Sequence, residues 1–331
     1  MSTKIAINGF GRIGRNVLRA IMESGRSDIE VVAINDLGPV ETNAHLMRYD
    51  SVHGRFPGTV TVAGNTIDLG RGPMDVMSSY DPAALDWSGC DVVLECTGAY
   101  NNGEACKVHL QKGARKVVIS APAKNVTRTI VYGVNHNTIT ADDNIVSNAS
   151  CTTNCLAPLA RVLHNTVGIQ SGIVTTIHAY TGDQSTVDRR HSDLYRARAA
   201  GVSMVPTSTG AASAIGEVIP ALRGKLDGSA IRVPTPNVSC VDMTFVAQRE
   251  TIKEEINTIV HQASLEMPTV LGYEPQPLVS IDFNHTSESS IFAPDQTKVI
   301  GGNLVRVLAW YDNEWGFSCR MADTASVLAK Y

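Results

Sequence analysis

Lys4-Ile5-Ala6-Ile7-Asn8-Gly9-Phe10-Gly11-Arg12-Ile13-Gly14 is the stretch that decides how the rest of the chain is read. The first five residues have the apolar run of a buried strand. A Gly-x-Gly-x-x-Gly turn follows at once, and residues 15–23 carry helical periodicity through Val17, Leu18, Ile21 and Met22. A second apolar run, Ile29-Glu30-Val31-Val32-Ala33-Ile34-Asn35, ends at Asp36, 22 positions after Gly14. Glycines at such a turn let the backbone approach a pyrophosphate, and the helix N-terminus offers its positive dipole end to an anion. Gly9, Gly11, Arg12 and Ile13 are therefore read as the cradle of a dinucleotide. Asp36 is read as the partner of the ribose hydroxyls. A carboxylate there repels a 2′-phosphate, so NAD is expected over NADP.

Outward from this unit, strands and helices alternate. Residues 40–49 read as a helix, 59–79 as a hairpin excursion, 91–98 as a strand and 103–111 as a helix closed by Gly113. Residues 116–120 and 129–133 read as further strands. This alternation predicts a doubly wound, mostly parallel α/β sheet of Rossmann type, with ligands beyond the strand ends where Thr97 and Ser120 fall.

The pattern changes around Ser147-Asn148-Ala149-Ser150-Cys151-Thr152-Thr153-Asn154-Cys155. A short strand, a polar turn and a helical apolar pattern place Cys151 at a helix N-terminus, with Ser150 as cap. The dipole and backbone N–H groups there favour a thiolate, so a lowered thiol pKa is expected. A buried structural cysteine is the bland alternative for this stretch taken alone. Beyond it, residues 172–178 are strand-like. A long polar segment, 179–202, has the length of a functional loop. Residues 208–219 read as a helix, 230–234 and 238–248 as strands, and Thr251-Ile252-Lys253-Glu254 as a capping box. Residues 278–283, 299–300 and 304–310 read as strands, and 320–330 as the last helix. A second, α+β domain follows from this mixture. The division expected is a dinucleotide-binding domain over 1–150, a catalytic domain over 151–314, and a C-terminal helix within 315–331 that packs back on the first domain.

Composition narrows the class. The chain has 331 residues, 43% hydrophobic and 18% charged, with a net charge of −4. No basic field points to nucleic acid or an anionic membrane. No apolar run approaches the length needed to span a bilayer, and the N-terminus enters a strand too early for a signal peptide. Seven cysteines without paired CxxC spacing argue against a zinc site or a disulfide framework and fit a reducing cytoplasm.

The longer motifs carry a resemblance that runs nearly the whole chain. They include residues 7–15, Tyr49-Asp50-Ser51-Val52-His53-Gly54-Arg55-Phe56, residues 147–155 and His178-Ala179-Tyr180-Thr181-Gly182-Asp183-Gln184. They continue with Arg196-Ala197-Arg198-Ala199-Ala200, Pro206-Thr207-Ser208-Thr209-Gly210-Ala211-Ala212 and Trp310-Tyr311-Asp312-Asn313-Glu314-Trp315-Gly316. The sequence resembles the phosphorylating glyceraldehyde-3-phosphate dehydrogenase family, in its bacterial form. The resemblance implies that Cys151 attacks the aldehyde and His178 is the general base, with NAD taking the hydride and inorganic phosphate releasing the thioester. It places the substrate phosphate at Thr181 and Arg232, near Asp183. It places the attacking phosphate at Ser150, Thr152, Thr209 and Gly210, with Arg198 adding charge. It gives Asn313 to the nicotinamide carboxamide, and the assembly as a homotetramer built through the 179–202 loop. Cys155, one helical turn beyond Cys151 with the dipole advantage reduced, is read as structural or secondarily redox-sensitive.

Three features depart from the family pattern. Tyr80 stands where many members have an arginine, Phe317 replaces a common tyrosine, and Arg189-Arg190 is an unusual pair in the long loop. The pair is read as solvated or subunit-facing, with weak NADP use as the alternative. Other readings of the whole chain are an erythrose-4-phosphate dehydrogenase and a binding paralogue without chemistry. The intact 181–184 and 208–212 motifs speak against the first, and Cys151 with His178, Arg232 and Asn313 against the second.

Overall fold

The computed structural model describes residues 2–331. The chain divides into two compact units, one of residues up to 132 with 136–149 and 318–331, the other of 133–135 and 150–317.

In the first unit, β1 (Thr3–Asn8), α1 (Arg12–Glu23) and β2 (Ile29–Asn35) lead into α2 (Val40–Arg48). A two-strand pair, β3 (Tyr49–Asp50) and β4 (Gly54–Arg55), precedes the excursion β5 (Thr61–Ala63), β6 (Thr66–Asp68) and β7 (Pro73–Met77). β8 (Val92–Glu95), α3 (Gly103–Gln111), β9 (Lys116–Ile119), β10 (Arg128–Thr129) and β11 (Ile145–Ser147) complete the alternation. The sheet order is β10-β11-β9-β8-β1-β2-β7-β6-β5. Neighbours from β10 to β7 run parallel, and β6 and β5 extend the sheet antiparallel. This is the doubly wound sheet expected from the sequence. Ile5, Ile7, Ile34, Val93, Leu94 and Val118 are fully buried in it, as central parallel strands require. Each such side chain contributes about 1.5–3 kcal/mol relative to exposure. The chain leaves β1 toward β2 on one side and β8 toward β9 on the other. That reversal opens a crevice beyond Asn8 and Glu95.

The second unit is α+β. It runs α4 (Cys151–Thr166), β12 (Ile169–Ala179), β13 (Val205–Ser208), α5 (Ala211–Val218), β14 (Leu226–Val233) and β15 (Ser239–Ala247). It continues with α6 (Lys253–Glu266), β16 (Leu271–Tyr273), β17 (Ser290–Phe292), β18 (Lys298–Ile300), β19 (Leu304–Tyr311) and α7 (Trp315–Leu328), whose residues from Ser318 belong to the first unit. The sheet is ordered β13-β14-β12-β15-β19-β17-β16, with β18 beside β19. Leu156, Ala157, Leu159, Ala160 and Leu163 of α4 are fully buried, so this helix is held by packing around its length. It tolerates Pro158 in its interior, although proline there removes a helical hydrogen bond.

Three local expectations are corrected, and one strand was not foreseen. Residues 278–283 do not form a strand. The Asp282 carboxylate accepts the Val279 N–H at 2.8 Å and closes a 3-10 turn over Ser280–Phe283. The strand expected at 129–133 is only Arg128–Thr129. Strand β13 was hidden by Pro206, which an edge strand accepts because its missing N–H faces no partner. The capping box does not form, since α6 begins one residue later, after Ile252, and the Thr251 hydroxyl instead donates to Glu255 at 2.7 Å.

Candidate active site

Cys151 is the first residue of α4. The Ser150 side chain caps the helix, accepting the Thr153 N–H at 3.0 Å. Ala149, immediately before, is buried with φ of 57°, a left-handed conformation that costs about 1 kcal/mol or more outside glycine. The turn that aims Cys151 is therefore held by its surroundings. On β12, Val174, Thr176 and His178 are buried while Ile173 and Ile177 are exposed, the period-2 alternation of a strand with one covered face. The parallel register sets His178 directly beside Arg232 of β14. Cys151 Sγ lies 3.4 Å from His178 Nε2, within the hydrogen-bond limit for sulfur.

The Ala179 carbonyl takes two donors, His178 Nδ1 at 2.6 Å and Arg232 Nη1 at 3.0 Å. Its two lone pairs accommodate both. With Nδ1 protonated toward that carbonyl, the Nε2 lone pair faces the sulfur. Arg232 Nη1 is also 2.8 Å from Nδ1, and this cation disfavours an imidazolium. Burial, then Arg232, push His178 down to about 3 from its ordinary value of 6.5. The expected lowering of the Cys151 thiol is not found. Burial pushes it up, and Arg232 and the Thr152 hydrogen bonds only partly offset that. The resting pair is thus a thiol and a neutral imidazole, which is a nucleophile beside its base. Cys155, one turn further on and fully buried, is pushed up much more strongly by burial; its thiol donates to the Ser290 hydroxyl at 3.6 Å.

Behind the pair stands Tyr311, 1% exposed, which sequence reasoning did not single out. Its hydroxyl lies 2.9 Å from both Thr152 and Thr176 hydroxyls, and its ring meets His178 edge-on at 5.9 Å. One phenol thereby ties the ends of α4, β12 and β19. Ser239 was missed as well, since a lone serine before a strand carries no signal. It accepts the Ala179 N–H at 3.0 Å and donates to Asn313 Oδ1 at 2.7 Å, which fixes the orientation of the Asn313 amide.

The first unit holds a cavity of about 370 Å³ lined by Asn8, Gly9, Gly11, Asn35, Asp36, Leu37, Ser79, Tyr80, Cys96 and Thr97, among others. Gly9 has φ of 93°, and a Cβ there would fall 2.6 Å from the Thr97 nitrogen. A Cβ on Gly14 would collide with the Gly9 carbonyl, whereas one on Gly11 would project into open space. Helix α1 starts at Arg12, and its N-cap Gly11 provides no side-chain cap, so the positive end of the helix dipole is set at this turn. Arg12 of this turn is ion-paired to Asp50, and Ile13 is half-buried behind it. The Asp36 carboxylate is pre-set by Phe10 N–H at 3.1 Å and Gly38 N–H at 2.8 Å. Thr97 donates its hydroxyl and N–H to Glu95, and Ser120 follows β9 with its N–H bonded to the Glu95 carbonyl at 3.0 Å. These groups fit a dinucleotide.

The same division of labour appears in comparison with known proteins. The family description "Glyceraldehyde 3-phosphate dehydrogenase, NAD binding domain" matches residues 3–103, and the corresponding C-terminal domain matches residues 150–313. The chain is 64% identical to a glyceraldehyde-3-phosphate dehydrogenase of Xanthobacter flavus, over 100% of this chain and 99% of that one. It is 62% identical to one of Cereibacter sphaeroides, with the same coverage. The chain belongs to the glyceraldehyde-3-phosphate dehydrogenase family. Its first unit is accordingly an NAD-binding domain in the family's sense.

The residues that the glyceraldehyde-3-phosphate dehydrogenase motifs led one to expect at phosphates take these positions. Thr181 opens the loop after β12, where its carbonyl accepts the Gln184 N–H at 2.9 Å. Thr209 and Gly210 stand at the N-terminus of α5, and the Thr209 hydroxyl accepts the Ala211 N–H at 3.2 Å. Arg232 is turned to His178 and Ala179, and its buried Nε has no partner. Asp183 pairs with Arg196 at 2.8 Å, and Arg198 pairs with Asp188 at 2.9 Å. Arg189 and Arg190 are exposed. Tyr80, 85% exposed, lines the cavity in its own right, and Phe317 is buried at 5%.

Proposed function

We propose that this chain oxidises glyceraldehyde 3-phosphate with NAD and inorganic phosphate to 1,3-bisphosphoglycerate. The observation that carries the proposal is the Cys151 sulfur 3.4 Å from the His178 Nε2, with the imidazole held neutral. Cys151 Sγ adds to the aldehyde carbon as its proton passes to Nε2, and Nε2 returns that proton to the former carbonyl oxygen, giving a neutral hemithioacetal beside a neutral imidazole. A nicotinamide bound through the first unit supplies the hydride acceptor. His178 takes the hydroxyl proton at that stage, and a thioester on Cys151 remains. A phosphate oxygen then attacks the thioester carbon, the C–S bond breaks and the sulfur leaves as the acyl phosphate departs. Ser150, Thr152, Thr209 and Gly210 serve the attacking phosphate, and Thr181 with Arg232 the phosphate of the substrate, because hydroxyls, backbone N–H groups and a guanidinium match phosphate oxygens. Gly9, Gly11, Arg12, Ile13, Asp36, Thr97, Ser120 and Asn313 hold NAD. Arg189 and Arg190 are assigned to solvent or a subunit contact rather than to NADP.

The active form is proposed to be a homotetramer. Exposed Val187, Leu194, Tyr195, Val202 and Met204 crowd the segment after β12, and Ile173 is 67% exposed on the open sheet face, apolar surface of the kind that subunits cover. All seven cysteines are free, which suits a reducing, cytoplasmic setting. Among the described residues no helix is long and apolar enough to cross a membrane. The deciding assay follows NADH from glyceraldehyde 3-phosphate with and without phosphate. Phosphate-dependent formation supports the proposal. A rate indifferent to phosphate points to the erythrose-4-phosphate type of reaction, and no NADH at all points to a binding paralogue.

A further inference from the structure

Beneath the dinucleotide cavity, buried side chains that the proposed chemistry does not use join the ends of three strands. Glu95, 1% exposed at the end of β8, accepts four hydrogen bonds. Oε2 takes Asn8 Nδ2 at 2.6 Å and His109 Nε2 at 3.0 Å. Oε1 takes the Thr97 N–H at 2.8 Å and the Thr97 hydroxyl. Asn8 Oδ1 accepts from Asn35 Nδ2 at 2.8 Å, and Asn35 Oδ1 accepts the Ser79 N–H at 2.9 Å. On the far side, Trp87 Nε1 donates to His109 Nδ1 at 3.0 Å.

The direction of every bond in this chain is fixed at its ends. An indole N–H only donates, so His109 Nδ1 accepts and Nε2 carries the proton toward Glu95. The Ser79 amide only donates, so it sets the orientation of Asn35, and Asn35 in turn sets that of Asn8. The Thr97 amide only donates as well. Every neighbour therefore reaches Glu95 as a donor, and an acceptor-only carboxylate fits. A glutamine of the same shape would set an NH2 against donors whichever way it turned, leaving buried groups unpaired.

We propose that Glu95 is a positioning residue for the dinucleotide: it fixes the separation between the Asn8-Gly9 turn and the Thr97 turn, the two walls of the cavity. The walls depend on each other, because Gly9 packs against the Thr97 backbone with no room for a Cβ. Asn8, Asn35 and Thr97 all line the cavity, so a shift in the network moves the surface that meets the ligand. The inference rests on reading that cavity as the NAD site.

NAD is titrated calorimetrically into the full-length wild-type protein and into Glu95→Gln, His109→Leu and His109→Gln, with steady-state kinetics on each. Losing one charge-assisted buried bond predicts that Glu95→Gln and His109→Leu raise Kd and KM for NAD by about tenfold while kcat stays within about twofold. His109→Gln recovers most of the affinity, because an amide accepts from Trp87 and donates to Glu95 at once. A residue that only stabilised the fold would lower the melting temperature without moving the NAD constants or showing this rescue. Unchanged NAD affinity in Glu95→Gln overturns the proposal, as does equal affinity in the two His109 variants. Should Glu95→Gln fail to fold, the His109 pair decides alone. A wild-type protein that takes up no NAD sinks the reading of the cavity instead.

Discussion

A neutral imidazole beside a protonated thiol makes proton transfer the first event at Cys151, and the residue-scale predictions follow from that. Cys151→Ser should lose NADH formation by orders of magnitude, because an alkoxide-forming hydroxyl is a far weaker nucleophile at neutral pH than a thiol. Cys155→Ser should keep most of it, its sulfur lying inside the core away from His178. Retained activity in the first and loss in the second would reverse the assignment. His178 also couples stability to pH. Its folded value is lowered to about 3 while the unfolded chain protonates near 6.5, so the unfolded state binds the extra proton across that window and stability declines as pH falls through it. Between pH 6.5 and pH 5 the decline is on the order of 2 kcal/mol. His178→Asn should lack it, and denaturant titration of both proteins at fixed concentration checks the difference. At Asp36, Asn in place of the carboxylate removes the repulsion of a 2′-phosphate. The ratio of NADP to NAD turnover should then rise, and an unchanged ratio would detach Asp36 from cofactor choice. The residue types at these positions were legible in the sequence. The thiol's pKa was not, because helix position is local and the burial that outweighs it comes from distant parts of the chain.

At the scale of elements, the site is a matter of register. His178 and Arg232 meet because β12 and β14 run parallel with those two residues opposite, and a one-residue slip of either strand would put the two side chains on opposite faces. Tyr311 locks the arrangement from a third strand. Tyr311→Phe should cost about 1–3 kcal/mol, since it leaves two buried threonine hydroxyls without their partner. It should also lower kcat more than it raises KM, because the loosened groups flank the Cys151–His178 pair. Thermal unfolding and steady-state kinetics read the two effects, and a change in stability alone would make Tyr311 a packing residue. Strong periodicity and glycine punctuation made α3, β9 and both strands of the first βαβ unit readable to within a residue, while its helix begins three residues earlier than its apolar period shows, at Arg12 inside the glycine turn. Elements whose identity rests on a single side-chain bond were not readable. Asp282 turned an apolar run into a 3-10 turn, and Thr251 chose Glu255 over the cap that its sequence suggested.

For the molecule as a whole, the sequence showed two units of different class, because alternating strands and helices in one half gave way to strand-rich chain in the other. It did not show Tyr311, Ser239 or the Glu95 network, which depend on contacts between residues far apart in sequence. Assembly is testable at this scale. Ile173→Glu places a charge on the open face of the second sheet. It should shift the protein to smaller species in sedimentation velocity, whereas an unshifted tetramer would free that face from the interface. The first unit has a further property that follows from its make-up. Its sheet comes from the early part of the chain, yet Met321, Ala325 and Leu328 are buried at 0% in it, and Thr324 bonds Asn148 at 2.7 Å. During synthesis the ribosome must therefore deliver almost the entire polypeptide before the earliest-made unit can close. Until then its apolar floor stays open to chaperones, and a stop codon after Phe317 should send the product to proteolysis rather than yield a usable half.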